Sequence, residues 1–240
     1  MIRYEHPLNE RIRTLMRLED LFARADFFAS REYAPDHHAA LLSLFEITEV
    51  AARADLKADL VQELERQKQV LGPLRSNPQI DQVSSNLLAQ AGKIGTHLRE
   101  NEWLMAIKQR VAIPGGVCEF DLPAYHHWLN KSPGARRQDL AAWIEPFASI
   151  RIGSAIVLRL LRENSRTSRH TASGGVFQLM MTTSKVAQLL RLTLEEDLPA
   201  VPEISANKYA LNIRFIGVSG LDRGNVVNQD IAFELAFCNL

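Results

Sequence analysis

The sequence predicts an α+β protein, with a mainly helical domain over residues 1–163 followed by an antiparallel β-domain over residues 164–240. Up to about Glu163, apolar residues recur at steps of three and four, the period of a helix with one buried face. Beyond residue 175 the period changes to short alternating or β-branched runs separated by turn clusters. Helices first and strands afterwards segregate into two layers. A folded chain of 240 residues removes roughly 70% of its unfolded surface from water, so its core needs neither metal nor disulfide.

The helices follow in order. Leu15, Leu18, Phe22 and Ala25 make one apolar stripe between Asn9 and about Ser30, with Asn9 placed to cap it. A second helix starts near Asp36, after Pro35, and turns Leu41, Leu44 and Phe45 inward. Asp55 opens a third, whose leucines 56, 60, 64 and 71 form a seam ended by Gly72-Pro73. Asn77-Pro78 opens a fourth that carries Ile80, Val83, Leu87, Ala91, Ile94 and Leu98. A shorter helix spans about Glu100 to Val111, and Ile113-Pro114-Gly115-Gly116 stops it. After Pro133-Gly134 the helical period returns and runs to about Glu163, with Pro146 expected to kink or divide it.

Residues 164–175, NSRTSRHTASGG, are polar, small and glycine-ended and read as a loop. Four strands follow, in VFQLMM, LLRLTLE, ISANKYALNIRFI and DIAFELAF. Alternation in Leu192 to Glu195 and in Leu211 to Phe215 marks an antiparallel sheet with one solvated face. Ile2-Arg3-Tyr4 is a further candidate strand of that one small sheet.

Composition bounds the function. Lys plus Arg is 28 and Asp plus Glu is 28, so the net charge is zero, which argues against a nucleic-acid coat or a polybasic membrane binder. Two cysteines, Cys118 and Cys238, fit a reducing compartment in which both serve as small buried hydrophobes. The N-terminus has no apolar signal region, and no apolar stretch approaches the ~18 residues of a membrane span. The expected compartment is the cytoplasm.

Catalytic constellations are sparse. There is no Walker A, no GxSxG elbow, and the glycines at 217, 220 and 224 lack dinucleotide-binding spacing. Ser205 to Lys208 satisfies SxxK by chance. The adjacent pairs His37-His38 and His126-His127 point their rings in different directions and make a poor metal site. No enzyme activity is expected.

Arginine placement is more specific. Arg13, Arg17, Asp20 and Arg24 lie on one face of the first helix. The plain reading is a solvated face, with Asp20 pairing both Arg17 and Arg24 for ~0.2–0.5 kcal/mol each. Arg159, Arg162, Arg166, Arg169 and His170 form a second group, whose plain reading is complementing a helix C-terminus. The alternative reading of this group is a nucleic-acid or phospholigand site. Lys208 and Arg214, six residues apart, share a face of one predicted strand.

Four segments are uncommon in combination. They are YEHPLNERIRTLMRLE at the N-terminus, ADLVQELERQKQVL at 58–71, IPGGVCEFDLPAYHHWLN at 113–130, and NKYALNIRF at 207–215. Together, and in this order, they resemble the ZapD family of bacterial division proteins. The resemblance implies a helical domain plus a β-domain acting as a homodimer, with no catalysis and no cofactor. It implies binding to the C-terminal peptide of FtsZ and cross-linking of FtsZ protofilaments at the cytoplasmic face of the division septum. No membrane or nucleic-acid partner is implied. By motif, the implied peptide-binding residues are Arg17, Arg53, His126, Lys208 and Arg214. Ala210 and Glu102 stand where relatives can carry a basic residue, so this pocket is less basic and leans more on Arg17 and Arg214.

Overall fold

The computed structural model describes every residue except 54, 73–77, 90–95, 181–186, 208, 220–221 and 240. The described chain is α+β and divides into a β unit, Met1–Arg13 with Leu158–Leu240, and a helical unit, Thr14–Val157. The division falls inside two helices, α1 (Glu10–Ala29) and α9 (Ala148–Glu163).

In the helical unit each element starts or stops for a local reason. At the head of α1, the Asn9 side-chain oxygen accepts the Ile12 N–H at 2.8 Å. Leu15, Leu18 and Ala25 of α1 are fully buried, as the stripe requires. Helix α2 (Ala34–Ala51) starts with Pro35 in its first turn and buries Ala40, Leu41, Leu44 and Ile47 completely. Helix α3 (Leu56–Leu71) stops at Gly72, whose φ of +68° lies in the region that favours glycine. Asp55 precedes α3 without a side-chain cap bond. Helix α4 (Pro78–Ala89) buries Ile80, Val83 and Leu87, and α5 (Thr96–Glu100) buries Leu98. The rest of the long fourth helix expected from sequence, including Ala91 and Ile94, lies outside the described residues.

Asn101 caps α6 (Glu102–Val111) by accepting the Leu104 N–H at 3.0 Å. Helix α7 (Pro123–Leu129) and helix α8 (Pro133–Ile144) follow. Pro146 sits in a 3-10 turn, Glu145–Phe147, that divides α8 from α9. Buried Arg136 of α8 ties this unit together. It donates to the carbonyls of Glu32, Leu129 and Lys131 and to Nδ1 of the fully buried His37, 2.7 Å away.

Among the described residues the β unit holds eight strands in two sheets, where one small sheet was expected. The first sheet has the order β1-β4-β8-β2, from β1 (Ile2–Pro7), β2 (Ser165–Ala172), β4 (Leu189–Leu194) and β8 (Ile231–Cys238). The second has β3 (Val176–Met180), β6 (Ala210–Ser219) and β5 (Ala200–Ala206) in that order, with β7 (Asp222–Val226) also on β6. All pairings are antiparallel. Leu190, Leu192, Phe233 and Leu235 from the first sheet meet Leu211, Ile213 and Phe215 from the second in one core.

Two expectations are corrected here. Residues 165–172 are a strand, not a loop: β2 pairs with β8 over its whole length. Its polar composition hides an alternation in which His170 packs on Phe177 and Phe233 and Ala172 is fully buried. An edge strand tolerates such polarity. The glycines carry the chain on to β3 in the other sheet, and a Cβ on Gly175 (φ +74°) would lie 2.3 Å from the Val227 carbonyl oxygen. The second correction concerns ISANKYALNIRFI, which is two strands. The Asn207 side-chain oxygen accepts the N–H groups of Tyr209 and Ala210 at 2.8 and 2.9 Å, a local turn that separates β5 from β6. The single strand that would have aligned Lys208 with Arg214 is therefore absent. Lys208 itself lies outside the described residues.

Burial sets the pH response. Desolvation holds His6, His37 and His38 below the ordinary histidine range, with nearby Arg13 adding to the effect at His6. The native state thus binds fewer protons than the unfolded chain once pH falls below about 6.5, and stability falls with pH there. Burial alone would raise Glu5, but Arg162 and Arg191 outweigh it and hold the carboxyl below 4.5. That contribution is lost at still lower pH. The expected result is a melting temperature that is highest near pH 7.5, lower at pH 5.5 and lower again at pH 4, read by calorimetry.

Candidate functional site

The first helix face does not pair as its spacing suggests. Asp20 binds Arg24, at 3.3 Å, and leaves Arg17. Arg24 also reaches Glu46 of α2 at 3.5 Å, so it is held between two carboxylates. A groove of about 270 Å³ runs between α1 and α2, lined by Arg17, Asp20 and Arg24 on one side and Glu46, Glu49 and Arg53 on the other. Arg53 follows the C-terminus of α2, where the helix dipole favours a cation, and its N–H donates to the Val50 carbonyl.

The groove contains three arginines and three carboxylates, and each carboxylate has an ion-pair partner. Asp20 and Glu46 are engaged by Arg24, and Glu49 is engaged by Lys108 of α6 at 3.2 Å. Arg17 and Arg53 are exposed and have no ion-pair partner among the described residues. A guanidinium is chemically suited to a carboxylate, and two of them line this groove.

The other implied residues stand elsewhere. His126, on α7, is exposed, with Nε2 3.5 Å from a Glu119 oxygen and 3.3 Å from the Asn130 amide nitrogen. It is not among the residues lining the groove. Arg214 belongs to the β unit, exposed on β6 with Val176 and Glu203 as its cross-strand neighbours. Ala210 begins β6, and Glu102 is the first residue of α6, where an acid suits the positive end of the helix dipole.

The 159–170 cluster is largely consumed by internal pairing. Arg162 binds Glu5 through two nitrogens, at 3.0 and 2.7 Å, in a half-buried pair joined by Arg191. Arg169 reaches Glu234 at 3.4 Å and Arg159 reaches Glu163 at 3.9 Å. The His170 ring packs against two phenylalanines.

Cys238 is buried, but Cys118 is exposed, contrary to expectation. It sits after the Pro-Gly-Gly break and its thiol donates to the Gly115 carbonyl. Among the described residues no group of three or more His, Cys, Asp or Glu could hold a metal ion, and no helix is long and apolar enough to cross a membrane.

Fold and groove together describe an α+β protein whose helical unit carries a surface groove lined by two arginines without an ion-pair partner among the described residues. The chain belongs to the ZapD family of cell division proteins: the family's sequence model, described as a cell division protein, matches residues 16–214. It is 55% identical to the cell division protein ZapD of Aromatoleum aromaticum over all of this chain and 98% of the relative. It is also 55% identical to that of an Azoarcus species over the full length of both chains. The ZapD of Nitrosomonas europaea is 50% identical over all of this chain and 96% of its own. Family membership places the chain in cell division.

Sequence reasoning identified Arg17 and Arg53 through motif resemblance. It missed the pairing of Arg24 with Asp20 and Glu46 and of Lys108 with Glu49, which leaves Arg17 and Arg53 without an ion-pair partner among the described residues. The steps along α1 hinted at Arg24, but its choice of Asp20 and Glu46 depends on α2 and carries no sequence signal.

Proposed function

We propose that this chain is a non-enzymatic division factor that binds the C-terminal peptide of FtsZ and cross-links FtsZ protofilaments into bundles. The observation that carries the proposal is the groove with two unpaired arginines, Arg17 and Arg53, in a member of the ZapD family. An acidic tail supplies carboxylates to Arg17 and Arg53, since the groove's own carboxylates are engaged by Arg24 and Lys108. By resemblance to the family, His126, Lys208 and Arg214 are further candidate contacts of the FtsZ tail. A homodimer presents two copies of the site and bridges two filaments, whereas a monomer only decorates one. Each contact can be weak, because many tethers along a polymer add avidity. The site of action is the cytoplasmic division septum.

The test is fluorescence anisotropy with a labelled FtsZ tail peptide. Binding is expected at ~0.1 M salt and weakens by about tenfold or more at ~0.5 M, since exposed charge pairs are screened. Absence of binding at ~0.1 M salt would refute the reading.

A further inference from the structure

Helix α2 carries a second depression on its other flank. It is a pocket of about 340 Å³ between α2 and the α5–α6 pair, at the small end of the ~300–1,000 Å³ range of ligand pockets. Its floor is Phe45, Leu98 and Leu104, all nearly fully buried, with Met105 and Ala52 at the sides. Thr48 also lines it, but its hydroxyl is already spent on the Leu44 carbonyl at 2.8 Å, so the floor asks no hydrogen bond of an occupant. The rim is cationic. Lys108 is balanced by Glu49, whereas Arg99 is exposed and has no ion-pair partner among the described residues. Its charged neighbour is another cation: burial first, and Arg99 after it, hold Lys57 below the ordinary lysine range. Glu49 lines both this pocket and the arginine groove, so the two depressions border one another across α2.

We propose that this pocket anchors an apolar side chain of the same acidic peptide whose carboxylates engage Arg17 and Arg53, with Arg99 taking a further carboxylate at the rim. The inference rests on the function proposed above and extends it. The unmatched charge at the rim selects an occupant that is apolar at one residue and acidic beside it, which fits a tail peptide better than a neutral ligand or a second basic surface. An apolar anchor supplies affinity that salt does not screen, and the arginines supply the screened part.

Ala52→Trp tests the assignment. Ala52 is exposed at the end of α2 in ordinary helical conformation, so a large side chain there fills the pocket without entering the core. Peptide affinity is expected to fall about tenfold or more with the salt dependence unchanged. Met105→Glu, which places a carboxylate in the pocket, lowers affinity as well, and thermal melts check that both variants are folded. Replacing the peptide's apolar residues with serine abolishes the difference between wild type and Ala52→Trp. Wild-type affinity in both variants would overturn the pocket assignment and leave the groove and the function standing. A change in self-association at unchanged peptide affinity would assign the pocket to a second copy of the chain and overturn it equally. If the wild-type chain binds no tail peptide, the function fails and the anchor with it.

Discussion

Reversing both uncommitted arginines, Arg17→Glu with Arg53→Glu, lowers affinity for the FtsZ tail peptide by about a hundredfold or more. A charge-assisted hydrogen bond contributes ~1.5–3 kcal/mol, and ~1.4 kcal/mol is a factor of ten, so two such losses compound to this size. Both side chains are exposed and have no ion-pair partner among the described residues, so the melting temperature is expected to stay close to that of the wild type. Calorimetry and anisotropy on the same sample separate a lost contact from a lost fold. Arg166→Glu is the matched control. It makes one such charge reversal in the basic segment of β2, outside the groove, and affinity is expected to remain within about twofold. A large loss at Arg166 with none at Arg17 and Arg53 would move the site to the β unit.

Arg136→Leu carries the largest expected effect on stability, about 3–5 kcal/mol. The guanidinium satisfies three backbone carbonyls and the acceptor nitrogen of a fully buried histidine. Leucine removes every one of those donors and leaves the acceptors buried without partners, a named route to losses of this size. For a domain of this length that corresponds to a drop in melting temperature of about 10 °C. The adjacent Arg137 makes one long bond, 3.5 Å to the Arg31 carbonyl, so Arg137→Ala should cost within ~0.5 kcal/mol. Equal losses at the two positions would show that the hydrogen-bond network is not what holds this corner.

What the sequence revealed about the fold follows the range of the interactions involved. Asn9 before an apolar stripe, Gly72 after a leucine seam and Pro146 within a helical period are local signals, and each marks a boundary in the structure. Strand pairing is not local. SRTSRHTA reads as a loop because its apolar partners, Phe177 and Phe233, lie on other strands. One run of alternating residues became two strands because a single asparagine side chain turned the backbone. The grouping of the described strands into two sheets depends on pairings such as Ile2 with Leu194, far apart in the chain.

The candidate site shows the same limit. Periodicity placed Arg17 and Arg24 on one face but paired Asp20 with both, whereas Glu46 on the neighbouring helix helps to draw Arg24 away. Arg53 entered only through resemblance, because nothing in its immediate sequence marks it as facing α1. Arg99 and Lys108 attracted no notice, since nine residues and a change of helix separate them. Charge bookkeeping in three dimensions, in which the carboxylates are already engaged and two arginines are not, is the information that sequence could not supply.

Low-speed pelleting of GTP-assembled FtsZ, with full-length FtsZ beside FtsZ lacking its C-terminal tail, shows whether this chain cross-links filaments through the tail. This chain is expected to pellet full-length filaments and to leave tail-less filaments in the supernatant, with Arg17→Glu/Arg53→Glu behaving as if the tail were gone. Equal pelleting of both kinds of filament, or of neither, would contradict cross-linking through the tail.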